Sequence, residues 1–304
     1  MAIRFDDIGN RLRAYRLGRG LTAEEVARKL GISRAAVYRI EGGGVVKIET
    51  LDRLAELLAV SAATLLGVGV EYYTSSIAYF ERMRQIEELS DQVIAHFPPL
   101  SYLLTSEHFP PFLRKSLIES IPDYAKDRRK LTTEIDTVVG ILEERKEARI
   151  RRRLSVVNFV SLPEIERWVK LGVIGHFGLG NAEILKRRAA AQREIEHLIE
   201  LTESGPMGIQ IGLIEETLPN ITFQLFRTAQ QTYLGMSPFR LGGDLPNVRM
   251  GVAILTTDAE PVAFYEKLAE ELWARAHKGR AAAARLTAML SRSGLSRQKM
   301  REAS

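Results

Sequence analysis

The sequence contains no cysteine. That excludes disulfide frameworks, thiol nucleophiles, iron–sulfur clusters and Cys-ligated zinc fingers, and it fits a reducing compartment. Long hydrophobic runs are missing too. The apolar stretch 60–70 is 11 residues, short of the roughly 18 that a membrane-spanning helix needs. The chain opens Met-Ala-Ile-Arg-Phe-Asp-Asp, with acids where a secretory signal requires an apolar segment. A soluble, cytoplasmic protein with no membrane partner is expected.

Motifs for catalysis are absent as well. There is no His-Glu-x-x-His pair for a zinc protease and no Gly-x-x-x-x-Gly-Lys-Ser/Thr phosphate loop. There is also no Gly-x-Ser-x-Gly nucleophile elbow. His96, His108, His176, His197 and His277 are scattered, none three or four residues from another, so no metal site is expected. The glycine-rich stretch 172–180 does not lead from a strand into a dinucleotide turn and reads as a helix end and loop. Glu215 with Glu216, and Asp258 with Glu260, read as solvated acids at strand ends. Neither an enzyme nor a cofactor is expected.

What is present is ordinary globular composition over 304 residues, 45% hydrophobic and 27% charged. That length gives two domains at roughly 100–200 residues each. The net charge of +5 is unevenly spread: residues 1–69 hold 11 basic and 8 acidic side chains, residues 70–274 hold 24 and 29, and residues 275–304 hold 8 and 1. A polyanionic partner is therefore expected at the ends of the chain.

Residues 1–69 read as five helices. A first runs from about 6 to 17, with Ile8, Leu12 and Tyr15 on one face. Thr22 and Glu25 form a capping box for a short second helix ending near Leu30. Gly31 makes a sharp turn. Ser33 then caps a third helix, 34–41, which Gly42, Gly43 and Gly44 terminate. Helices at 50–60 and 61–66 follow. Two short helices joined by a glycine turn and packed among three others describe a helix-turn-helix. Ala27, Leu30, Ile32, Val37 and Ile40 can form its small core, which leaves Ser33, Arg34, Ala35, Tyr38 and Arg39 facing outward.

The stretches LTAEEVARKLGISRAAVYRIEG (21–42) and ETLDRLAELL (49–58) closely resemble the phage-repressor-type (XRE) family of DNA-binding domains. The resemblance covers about residues 5–67. It implies that the helix after the turn enters the major groove of double-stranded DNA. Arg34 and Arg39 are then suited to guanine O6 and N7, and Ala35 or Ala36 to a thymine methyl. Tyr38, Lys47 and the helix N-termini at Thr22 and Ser33 are suited to phosphate. The resemblance also implies an ion pair between Arg16 and Glu41. One departure stands out: Ala23 occupies the position where the family often has glutamine, at the loss of one DNA contact.

Residues 71–96 read as one amphipathic helix, through Ile77, Phe80, Met83, Ile86, Leu89 and Val93, that connects the domains or makes a dimer seam across 70–97. The stretch 126–153 reads as a long charged helix. Residues 98–279 then form a mixed α/β domain: strands at 155–162, near 209–213, near 221–225, at 232–236 and at 248–257, and helices at 163–172, 181–203 and 261–276. The order of PLSYLLTSEHF (99–109), ARIRRR (148–153), GNAEIL (180–185) and HLI (197–199) is similar to an uncharacterised domain that accompanies repressor-type helix-turn-helix domains in bacterial regulators, which usually opens Pro-Gly-Leu-Leu-Gln-Thr. That resemblance implies a sensor or partner-binding role. Residues 280–304 read as a basic Ala/Arg-rich tail: a solvated end, a further phosphate contact or an oligomer helix.

The expected fold class is thus an all-α five-helix helix-turn-helix domain followed by an α+β domain. The expected function is that of a homodimeric transcription regulator on a palindromic operator, with a small-molecule effector or protein partner at the C-terminal domain. The alternative is an antitoxin-like or accessory interaction module whose helix-turn-helix is autoregulatory.

Overall fold

The structure, a computed structural model, describes residues 5–216, 218 and 221–292. The N-terminal region is all-helical: α1 (Phe5–Gly18), α2 (Ala23–Leu30), α3 (Arg34–Glu41), α4 (Ile48–Leu58) and α5 (Ala62–Leu66). Local sequence explains each boundary. Thr22 and Glu25 cap α2 reciprocally, and Gly31 closes it in the left-handed conformation at φ 68°. The Ser33 and Ser61 hydroxyls accept the backbone N–H groups of Ala36 and Thr64 at the starts of α3 and α5. Leu30, Val37 and Ile40 are buried between α2, α3 and the other helices, each contributing roughly 1.5–3 kcal/mol. At Gly9, α1 passes so close to α3 that a Cβ would lie 2.5 Å from the carbonyl oxygens of Ile40 and Glu41.

The chain continues through β1 (Glu71–Tyr73), α6 (Ser76–Glu87), β2 (Ser90–His96), a 3-10 turn (Tyr102–Leu104), α7 (Phe109–Glu119), α8 (Arg128–Arg152), β3 (Ser155–Ser161), α9 (Leu162–Leu171), α10 (Asn181–Ser204), β4 (Ile209–Ile214), β5 (Thr222–Thr228), β6 (Thr232–Ser237), β7 (Ala253–Thr256), α11 (Ala259–Arg275) and α12 (Gly279–Arg292). The strands form a seven-stranded mixed sheet in the order β1-β7-β6-β5-β2-β3-β4. β2, β3 and β4 run parallel, joined by helical crossovers, and the other pairings are antiparallel. Helices cover both faces, so both faces are apolar. Val93, Ala95, Val156 and Val160 join one core, while Ile94, Val157 and Phe159 join the other beneath α11, as the two-residue period of a strand dictates. The fold is an all-α helix-turn-helix domain plus an α+β domain.

Two expectations are corrected. Residues 71–96 are not one connecting helix but strand, helix and strand. The 3.6-residue pattern holds through Ile86; beyond it Val93 and Ala95 alternate with Ile94 in the middle of the sheet. α6 is no free dimer seam either, since Ile77, Phe80, Met83 and Ile86 are buried and so are Glu81, Arg82, Gln85 and Glu87 on its other sides. The basic tail begins as a core helix: α12 buries Ala282, Ala283, Leu286 and Met289 and packs on α10. An ordered, packed helix does not fit a solvated, partly disordered end for 280–292; Arg280 and Arg292 stand exposed on its outer side, and the rest of the tail, 293–304, lies outside the described residues.

Candidate nucleic-acid interface

The helix-turn-helix presents two different surfaces. On α3, the side chains of Val37 and Ile40 point into the core while Arg34, Ala35, Tyr38 and Arg39 are exposed and Ala36 is half-buried. An arginine at the first helical position and another five residues later therefore stand on the open side of a helix anchored along its other side. The Arg34 guanidinium donates to the Tyr38 hydroxyl at 3.1 Å and lies 5.3 Å from the ring centroid. Tyr38 keeps 49% of its surface exposed, so it supports Arg34 rather than packing into the domain. The hydrogen bond to Tyr38 raises the Arg34 pKa further, and its charge is fixed. Arg39 and Lys47 are exposed, Lys47 immediately before α4, and among the described residues neither side chain forms a hydrogen bond or an ion pair.

The two caps differ in what they leave for a ligand. Ser33 uses one lone pair on Ala36 N–H at 3.1 Å. Thr22 is more fully engaged: its backbone N–H and its hydroxyl both donate to Glu25 Oε2, at 2.7 and 2.9 Å, and its hydroxyl accepts from Glu25 N–H at 3.2 Å. Those bonds from Thr22 hold the Glu25 carboxyl below the usual range, so a carboxylate sits at this helix start. Ala23 is buried. A longer side chain there would have to leave the core, which gives the departure from the family pattern a packing reason.

The opposite surface is closed by charge. Arg16 grips Glu41 with two bonds, Nε to Oε1 at 2.5 Å and Nη2 to Oε2 at 2.9 Å, and its remaining nitrogen donates to the Leu21 carbonyl at 2.9 Å. Both partners are buried. The pair ties α1 to the end of α3 and fixes the angle at which α3 stands out.

A second cluster was not foreseen from sequence. Glu71, 4% exposed, receives Arg11 Nε at 2.6 Å and Arg82 at 3.1 and 3.3 Å, along with the Tyr73 hydroxyl. Burial pushes this carboxyl up, but Arg82 and Arg11 outweigh burial and hold it down at about 2. Beside it the rings of Tyr15 and Tyr73 stack at 4.8 Å, and the Tyr15 hydroxyl donates to the Tyr72 carbonyl at 3.0 Å. α1 is thereby fixed to β1 and α6, and the hydrophobic core runs without a break from Ile8 to Met289. The available signal was Arg11 itself, a cation inside the apolar row Ile8, Leu12, Tyr15.

Residues 7–66 match the family model of a helix-turn-helix domain, which supports a DNA-binding transcription regulator. Among the described residues no helix is long and apolar enough to cross a membrane. Comparison with curated proteins and with solved structures gives no match.

Proposed function

We propose that the protein is a sequence-specific transcription regulator of the phage-repressor type. It binds as a homodimer to a two-fold related site in double-stranded DNA, and its C-terminal domain senses a small effector or a protein. It is read as a binding protein without catalysis. The observation that carries this reading is the open side of α3, where Arg34, Ala35, Tyr38 and Arg39 are exposed above a buried Val37 and Ile40. Arg34 and Arg39 are assigned to base edges, Ala35 and Ala36 to methyl contacts, and Ser33, Tyr38, Lys47 and the α2 start at Thr22 to phosphates. Two copies double the phosphate contacts of a domain whose own charge is low, and place half-sites about 34 Å apart. An effector shifts DNA affinity only as far as it prefers one conformation.

The test is selection and footprinting of genomic fragments with the intact protein, with and without cell extract, followed by Arg34→Ala and Arg39→Ala on the recovered site. A two-fold footprint is expected, with each variant losing discrimination at one base per half-site. Full affinity and discrimination in both variants overturns the recognition-helix assignment. A stoichiometric protein held by residues 70–274, with no ligand effect on DNA affinity, would make the chain an interaction module instead.

A further inference from the structure

Residues 103–108 face α8 and α10 across a cleft of about 390 Å³. Its walls are of two kinds. Leu103, Leu104, Ile150 and Leu201 supply an apolar side. Lys146 and Arg149, one turn apart on α8, supply charge.

The two cations are not equally satisfied. Lys146 Nζ donates to the Ser106 carbonyl at 3.1 Å and pairs with Glu107 at 2.9 Å. Arg149 is half-buried, and its Nε, shut off from solvent, meets no acceptor among the described residues. Burial alone lowers its pKa, with no carboxylate acting against it. Glu194, the other acid beside this segment, is taken up by the Ser106 N–H at 2.7 Å and hydroxyl at 2.5 Å. His108 and His197 also line the cleft, and His197 lies 4.0 Å from the exposed Glu200. Among the described residues the cleft thus holds two basic side chains against one lining carboxylate, Glu107, which is 83% exposed at its side chain.

A guanidinium Nε withdrawn from water without an acceptor is costly, and a planar donor fork beside leucines has the chemistry to take an amphipathic anion. We propose that this cleft binds a small organic anion, a carboxylate or phosphate monoester carrying a short aliphatic chain, with the anionic head on Arg149 and Lys146 and the chain against Leu104 and Leu201. As an effector site this rests on the regulator reading above; as a binding site it does not. α8 also offers a route to the DNA-binding half. Its Arg145 clasps Glu87 on α6 at 2.9 and 2.6 Å, its Arg152 donates to the Glu87 carbonyl at 2.7 Å, and α6 carries the Arg82 that holds Glu71 against Arg11.

The test is calorimetric titration of the full chain with hexyl phosphate, hexanoate and inorganic phosphate, in the unsubstituted protein, Arg149→Gln and Ile150→Glu. At least one hexyl anion should bind, inorganic phosphate should bind about tenfold more weakly or not at all, and both variants should lose about tenfold or more in affinity. The pair of hexyl compounds distinguishes the headgroups. Because Arg149 makes no ion pair among the described residues and Ile150 is exposed, both variants should fold, and Arg149→Gln should melt no lower than the parent. Binding that is equal in all three proteins, equal for hexyl and inorganic phosphate, or absent for every probe overturns the site. Binding that is intact while affinity for the selected DNA site stays constant at saturation retains the site and overturns its effector role.

Discussion

Arginines on two sides of the helix-turn-helix have opposite fates. On α3, Arg34 and Arg39 stand in solvent, and the nearest support is one tyrosine. On α1, Arg11 and Arg16 are buried and ion-paired, one with Glu71 of β1 and the other with Glu41 of α3. The same side chain serves as a free donor fork in one place and as a rivet in the other. The difference lies in whether a carboxylate is delivered to it by the fold. It follows that substitutions of the arginines on the open side of α3 should act on DNA binding and leave stability alone, whereas substitutions in the α1 clusters should act first on stability.

The largest effect is expected from removing Arg82 or Glu71. Arg82 is 1% exposed and Glu71 is its direct partner. Truncating either to alanine strands buried charge, and breaking a buried pair in this way costs about 3–5 kcal/mol. Denaturant titration of Arg82→Ala should show that loss. A change below about 1 kcal/mol would mean that the cluster is solvated and that the contrast with α3 has no energetic content.

Acid should attack the same point. The Glu71 carboxyl is held at about 2 in the folded protein, against an ordinary 4.5. A group depressed by folding contributes stability above its unfolded pKa and loses it as pH falls through the folded one. The contribution, on the order of 3 kcal/mol, is present at pH 6 and lost between about pH 4.5 and 2. Glu71→Gln should be less stable than the parent at pH 6, and the gap should narrow steadily towards pH 2.5. A gap independent of pH would remove Glu71 as the titrating group.

The next effect reverses the readout. Arg39→Ala should cost about 1–3 kcal/mol in binding to the selected site and stay within about 0.5 kcal/mol of the parent in stability, since the Arg39 side chain is exposed and makes no hydrogen bond or ion pair among the described residues. Equal losses in both measurements would place Arg39 with Arg11 and Arg16 and erase the distinction.

These two classes of arginine also mark what sequence can reveal. The α2–α3 unit was legible because its determinants are local: Thr22 reaches Glu25, Ser33 reaches Ala36, and Gly31 turns the chain between them. The strands were legible from local signals too: near 209–213 and at 232–236 from two-residue alternation, and at 155–162 from β-branched residues. Glu71 was not, because its partners lie 60 and 11 residues away and nothing local says that a carboxylate beginning a three-residue strand will be buried. β2 was misread as helix because a strand covered on both faces has apolar residues at adjacent positions, and Ile86, Leu89 and Val93 extend a helical spacing into it by coincidence. α12 was misread because half of its buried side is alanine, which composition alone does not separate from a solvated tail.

The smallest effect separates two roles at one residue. Ser33 caps α3, and it also stands exposed at the end proposed to meet the DNA backbone. Ser33→Ala removes both and should cost about 1 kcal/mol of stability, so by itself it says nothing about DNA. Ser33→Asp retains a capping oxygen and, at a helix N-terminus, places a negative charge where the helix dipole favours it. Its stability should match the parent within about 0.5 kcal/mol. Opposite a phosphate the same charge is repulsive, so affinity for the selected site should fall several-fold at low salt and recover in part as salt screens it. If Ser33→Asp binds DNA as well as the parent at low salt, the start of α3 faces away from the backbone and the docking orientation assigned to that helix is wrong.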